Sequence, residues 1–127
     1  MYLPIPIQGV TLTPIPRGAA FPYLFTLGID VTLPDPNTWT DCRFTVVSLA
    51  PAGVTFTISQ SSMTFTPSGH GPWTLDLAIP LSSSQTLSLP ASSITPCRFQ
   101  LDASASGWSD VLLEGQVFVY TPKKSFS

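Results

Sequence analysis

The chain has 127 residues, a net charge of −2 and only 9% charged residues, against about 25% in an ordinary globular domain. That length suits one domain with a single core, and such sparse charge leaves no basic footprint for nucleic acid and little to gain from surface ion pairs. No run approaches the roughly 18 apolar residues of a membrane-spanning helix, so neither nucleic acid nor membrane is an expected partner.

The first ten residues, MYLPIPIQGV, carry no positive region and no continuous apolar core. They do not read as a secretory signal, and synthesis in the cytosol is the simplest expectation. Pro4, Pro6, Pro14 and Pro16 interleave with Leu3, Ile5, Ile7 and Ile15. Proline has no N–H to donate and holds the residue before it extended. Residues 1–18 are therefore expected to form an extended ribbon, neither helix nor interior strand, whose apolar side chains need a surface. Two surfaces are open to it: its own domain, which it would cover as a lid, or a neighbouring subunit. The second makes it a docking arm, with Leu3, Ile5, Ile7 and Ile15 as the partner-binding residues.

Residues 19–121 read as the body, with residues 122–127 as a C-terminal tail. Phe21, Tyr23, Phe25, Leu27, Ile29 and Val31 occupy every second position, the pattern of a strand with one buried face. The cluster Leu33-Pro34-Asp35-Pro36-Asn37 ends it. A second strand spans residues 39–49, with Cys42, Phe44 and Val46 facing one way, and a third begins at Val54, Phe56 and Ile58. Met63 and Phe65 suggest a short returning strand. After the loop at residues 67–72, Trp73, Leu75, Leu77 and Ile79 form a fifth. Residues 81–90, with Ser-Ser-Ser-Gln-Thr at the centre, lack alternation and suit one helical turn. Residues 95–120 form a closing hairpin: Cys97, Phe99 and Leu101 share a face, residues 103–107 make the bend, and Val111, Leu113, Val117 and Val119 line the return strand. About seven short strands with regular turns predict an antiparallel, immunoglobulin-like β-sandwich.

Cys42 and Cys97 sit in similar contexts, Asp-Cys-Arg-Phe and Pro-Cys-Arg-Phe. Two states are open to them: a disulfide across the sandwich core, as in immunoglobulin domains, or buried thiols in a reducing compartment. No second pair supplies ligands for a metal. His70, the single histidine, lies in a Ser-Gly-His-Gly-Pro loop without the third group that orients a catalytic base. Asp35, Asn37 and Asp41 alternate as in a calcium loop but lack its glycine and bidentate glutamate, so turn capping explains them better. No catalytic residue, cofactor or metal site is expected. Trp39 and Trp108 flank turns, where a tryptophan closes the core, anchors a protein interface or stacks on a sugar.

The order of these pieces resembles the immunoglobulin-like domain at the N-terminus of tailed-phage upper baseplate proteins, and related small tail proteins. The resemblance rests on Phe25-Thr26-Leu27 as the opening strand and Leu75-Asp76-Leu77 with residues 82–87 as the middle strand and turn. Residues 98–102 match the penultimate strand, and Gly115-Gln116-Val117-Phe118-Val119 the closing one. It covers roughly residues 21–121. It implies a non-enzymatic structural protein of the virion (a baseplate, tail or fibre attachment component), assembled in the host cytoplasm, oligomeric, and held by other virion proteins. A capsid decoration protein is an alternative within that reading. A host-glycan-binding module is the rival outside it.

Overall fold

The computed structural model describes residues 2–29, 32–49, 52–68 and 73–122. His70 and Val31 lie outside them. The described chain folds as two packed sheets. The seven body strands are β4 (Phe21–Ile29), β5 (Trp39–Leu49), β6 (Ala52–Ser59), β7 (Thr64–Pro67), β8 (Thr74–Leu81), β9 (Ser92–Ala105) and β10 (Trp108–Tyr120). A single helical turn, α1 (Ser83–Leu87), links β8 to β9. Three further strands come from the proline-rich ribbon: β1 (Tyr2–Ile5), β2 (Ile7–Thr11) and β3 (Ile15–Pro16).

One sheet runs β1-β4-β8-β7. The other runs β2-β10-β9-β5-β6, with β3 also on β10. This is the strand order of an immunoglobulin-like sandwich, with the ribbon supplying the first strand of both sheets. All ribbon pairings are parallel: β1 along β4, then β2 and β3 along β10. The chain crosses from one sheet to the other at the cis Ile5–Pro6 bond. Pro4 and Pro16 sit on edge strands, where a missing N–H costs no ladder bond, and Pro6 and Pro14 fall between strands.

The alternation predicted for the body is the alternation observed. Tyr23, Phe25, Leu27 and Ile29 from β4 and Leu75, Leu77, Ile79 and Leu81 from β8 face Cys42, Phe44, Val46, Phe99 and Leu101 across the core. The rings of Tyr23, Phe44 and Phe99 form a chain of contacts with centroids 5.8 Å apart at each step. The hairpin departs from expectation in two places. Its bend is tighter than residues 103–107: Ala105 already pairs with Trp108, and Gly107 at φ +73° makes the turn. In the return strand a bulge between Val111 and Leu113 inserts Leu112. Leu112 and Leu113 are both buried, and Val111 pairs with Asp102 on the outer face instead of lining the core. One inserted residue reverses the side-chain phase of everything before it.

The base of the ribbon is tied down by α1. The Thr86 hydroxyl accepts from the Gly18 N–H (3.0 Å) and donates to the Ala19 carbonyl (2.8 Å), while Arg17 Nε donates to the Leu89 carbonyl (2.8 Å). Ser82 and Gln85 close a capping box over the first turn, which holds so short a helix in place. Thr86 is fully buried, so Thr86→Val keeps its shape and removes both bonds. The substitution is expected to cost about 2 kcal/mol, read as a lower urea midpoint, whereas Thr86→Ser should recover most of it. Equal stability of the valine and serine variants would show that the hydroxyl does not hold the ribbon.

Candidate interaction surfaces

The ribbon residues predicted to grip a partner point into the protein's own core. Ile5 is 3% exposed and Ile15 is 0%, and Ile7 is half-buried and packed against the same cluster. The side chain of Leu3 lies outside the described set. Leu12, which the proline pattern does not single out, is a further anchor at 2%. The Tyr23 hydroxyl, deep in the core, donates to the Thr13 carbonyl, and Leu12 N donates to the Gln116 carbonyl at 3.1 Å. Of the two surfaces open to the ribbon, the structure takes the chain's own domain. The reason is geometric: both sheets would otherwise leave the edges of β4 and β10 bare, beside a gap in the core that three apolar side chains fill.

Trp39 is likewise inward. It is 6% exposed, and its indole N–H donates to the Pro34 carbonyl at 3.0 Å. Trp108 is half-buried against it, with ring centroids 5.7 Å apart, and Phe65 packs on the other side at 6.0 Å. These rings close one end of the sandwich. Their faces are occupied by each other, which removes the flat, open platform a sugar ring needs.

Cys42 and Cys97 are free, buried thiols. They lie on adjacent strands of one sheet rather than on facing sheets. Cys42 pairs with Ala103, six positions along β9 from Cys97, a separation of about 20 Å at ~3.3 Å per residue. A disulfide needs Cα atoms within about 7 Å, so the bridge is excluded in this fold. Burial pushes the Cys42 thiol up to about 12, with the Asp102 and Asp41 carboxylates adding to the effect, and burial raises Cys97 as well. Thiols so shifted are poor nucleophiles at neutral pH.

Asp35 does cap its own turn. Its carboxylate accepts from Asn37 N (2.9 Å) and Asn37 Nδ2 (3.0 Å). Asp41 instead lies beside Arg43, at 3.8 Å, and Arg43 reaches Asp102 at 3.3 Å. Among the described residues no group of three or more His, Cys, Asp or Glu could hold a metal ion, and no helix is long and apolar enough to cross a membrane.

Three features of the surface remain unused by the fold. The first is the outer edge of β6, which among the described residues ends its sheet with one neighbour, β5, and whose sequence, AGVTFTIS, has neither charge nor proline. The second is a recess of about 790 Å³ where the ribbon meets β10, walled by Pro14, Phe21, Phe118 and Tyr120 with the hydroxyl residues Thr13 and Ser92 at its margin. Among the described residues no charged side chain lines it. The third is Ile94, 86% exposed. Ser92 Oγ accepts from the N–H groups of both Ile94 (3.1 Å) and Thr95 (2.9 Å), which fixes the irregular start of β9, where the isoleucine is displayed.

No protein-family model matches the chain, and no curated sequence matches it. The surface itself must carry the functional reading. None of its features was legible as a site in the sequence: Ile94 sits between Ser93 and Thr95 in a polar stretch, and the recess draws its walls from residues up to 108 positions apart, from Thr13 to Thr121.

Proposed function

We propose that this protein is a non-enzymatic structural subunit of a tailed-phage particle, at the baseplate, the tail or a fibre attachment, working through contacts with other subunits. The observation that carries the assembly role is the outer edge of β6, which among the described residues has no strand paired to it. A strand edge presents a row of unpaired N–H and C=O groups, and soluble monomers blunt it with charge, proline or a covering loop. Eight residues of uncharged, proline-free edge favour a protein whose edge is covered by another chain. The setting comes from the sequence resemblance, whose closing Gly-x-Val-x-Val strand is β10. Energy for such contacts comes mainly from apolar area and backbone pairing, because 9% charged residues give little electrostatic steering.

With the ribbon folded onto its own domain, the grip lies on the body: the β6 edge and the surface around Ile94. The glycan reading loses its support, since both tryptophans that motivated it pack at the end of the core. Purified particles from the phage that encodes the chain provide the test. Quantitative mass spectrometry should find it at a fixed ratio to the major structural proteins, and labelled antibody should place it at one site on the particle. Its absence from washed particles would overturn the reading, as would turnover of a substrate by the isolated chain.

A further inference from the structure

The recess beside β10 and the displayed Ile94 belong together. Ala91 and Ser92 form part of the recess wall, and Ile94 stands two residues beyond it, held outward by the Ser92 hydroxyl. A hole and an exposed knob, both apolar, are therefore two residues apart along the chain. We infer that this face is a two-fold contact with a second copy of the protein, in which Ile94 of each copy enters the recess of the other.

Two-fold contacts put the same patch on both subunits, so a patch must complement itself. A knob adjacent to a hole satisfies that condition: an axis passing between them carries each knob onto the opposite hole. Charge is compatible. Among the described residues no charged side chain lines the recess, and residues 90–97, which carry the knob, have none either, so seating the knob in the hole desolvates no charge of its own. The rings of Phe21, Phe118 and Tyr120 offer Ile94 aromatic walls, and Tyr120, half-exposed, keeps its hydroxyl for the rim. A standard interface covers about 800 Å² per partner, a little over a tenth of the 6943 Å² surface.

The chain's own terminus is the competing occupant. Thr121 is the last residue of the recess wall, and residues 123–127 include Phe126. Lys123 and Lys124 intervene, however, and folding Phe126 back would draw two ammonium groups toward an apolar wall at a desolvation cost. The second copy meets no such cost.

Light scattering and sedimentation of the full chain between about 1 and 200 µM test the contact. The mass is expected to rise with concentration toward twice 13.6 kDa. Ile94→Asp should weaken dimerisation about tenfold or more without changing the melting temperature, because the side chain touches little in the monomer. Tyr120→Lys should weaken it from the other side. Mixing the two variants should restore a heterodimer, since the aspartate of one then meets the lysine of the other while the second knob and hole stay native. A chain ending at Pro122 should dimerise as well as the full one. The inference is overturned if the protein is monomeric throughout, if neither substitution changes its dimerisation, if the mixture forms no heterodimer, or if removing the tail strengthens the dimer tenfold. Self-association presupposes an assembling protein, yet the two readings fail separately. A monomer that is still found in particles loses only this contact, and a dimer that is absent from particles loses only the phage role.

Discussion

Gly115→Ala is expected to strip the N-terminal ribbon from the sheet while the seven-stranded body stays folded. A β-carbon at Gly115 would sit 1.9 Å from the Val10 carbonyl oxygen and 2.7 Å from Val10 C and N. Those are backbone atoms of β2, paired with Gly115 where the register of β2 on β10 shifts, so no side-chain rotation relieves the overlap. Overpacking of a filled site costs about 1–3 kcal/mol, and more where backbone must move. About 3 kcal/mol is therefore expected here. The rest of the ribbon follows, because Leu12 and Ile15 hold their places only while the strand between them and the Ile5–Pro6 crossing stays docked. Amide exchange should rise at Val10 and Leu12, and trypsin should cut after Arg17, while the amides of β5 and β9 remain protected. Gly107→Ala is the matching control. It meets nothing within 4 Å, and its cost is confined to the left-handed backbone at φ +73°, about 1–2 kcal/mol. If Gly115→Ala leaves Leu12 as protected as in the parent, the ribbon is not held across β10 as described.

Gly115 also shows what the sequence could and could not disclose. A glycine inside a strand pattern signals close approach of another backbone, and its place in Gly-Gln-Val-Phe-Val was visible. The identity of the approaching segment was not, because nothing local to Val10 records that it lies 105 residues away in sequence and in contact. The body was legible for the opposite reason. Strict alternation in β4, β5 and β9 fixes which side chains turn inward whatever lies opposite, so their core faces could be read from spacing alone. Leu112-Leu113 broke that rule without announcing it, since two adjacent leucines fit either a bulge or an exposed residue beside a buried one. The cysteines were legible in part. Their burial followed from their phase with Phe44 and Phe99, and of the two states open to them buried thiols are the one observed; the choice depended on a six-residue offset between β5 and β9 that no local pattern encodes. For the tryptophans three roles were open from position alone, and closing the core is the one observed: the loop itself, through the Pro34 carbonyl, supplies the Trp39 indole's partner, and the Trp108 ring packs on it.

The second large effect is alkaline. Stability should be flat to about pH 8.5 and then fall as pH rises. The Cys42 thiol ionises near 9.0 in the unfolded chain but near 12 in the folded one, chiefly because burial penalises the thiolate. A group whose folded value is raised adds stability that is complete below the unfolded value and is lost as pH climbs toward the folded one. The window is thus pH 9 to 12, and within it each unit of pH costs ~1.4 kcal/mol for this one proton. By pH 10.5 the loss from Cys42 alone reaches about 2 kcal/mol, a large part of the 5–15 kcal/mol that holds a typical domain. Cys97 is shifted the same way by burial, and so is Tyr23, which contributes above its ordinary value of 10.0. Urea unfolding at pH 8, 9, 10 and 10.5 under a reducing agent measures the slope. Cys42→Ala leaves a cavity and lowers the whole curve, but its slope above pH 9 should be shallower by one proton. Parallel slopes for parent and variant would mean that Cys42 ionises alike in both states, and that the core around it admits water. The same protonated thiols explain how a chain with two cysteines in its core avoids cross-linking them: at neutral pH neither sulfur is ionised, exposed or within reach of the other.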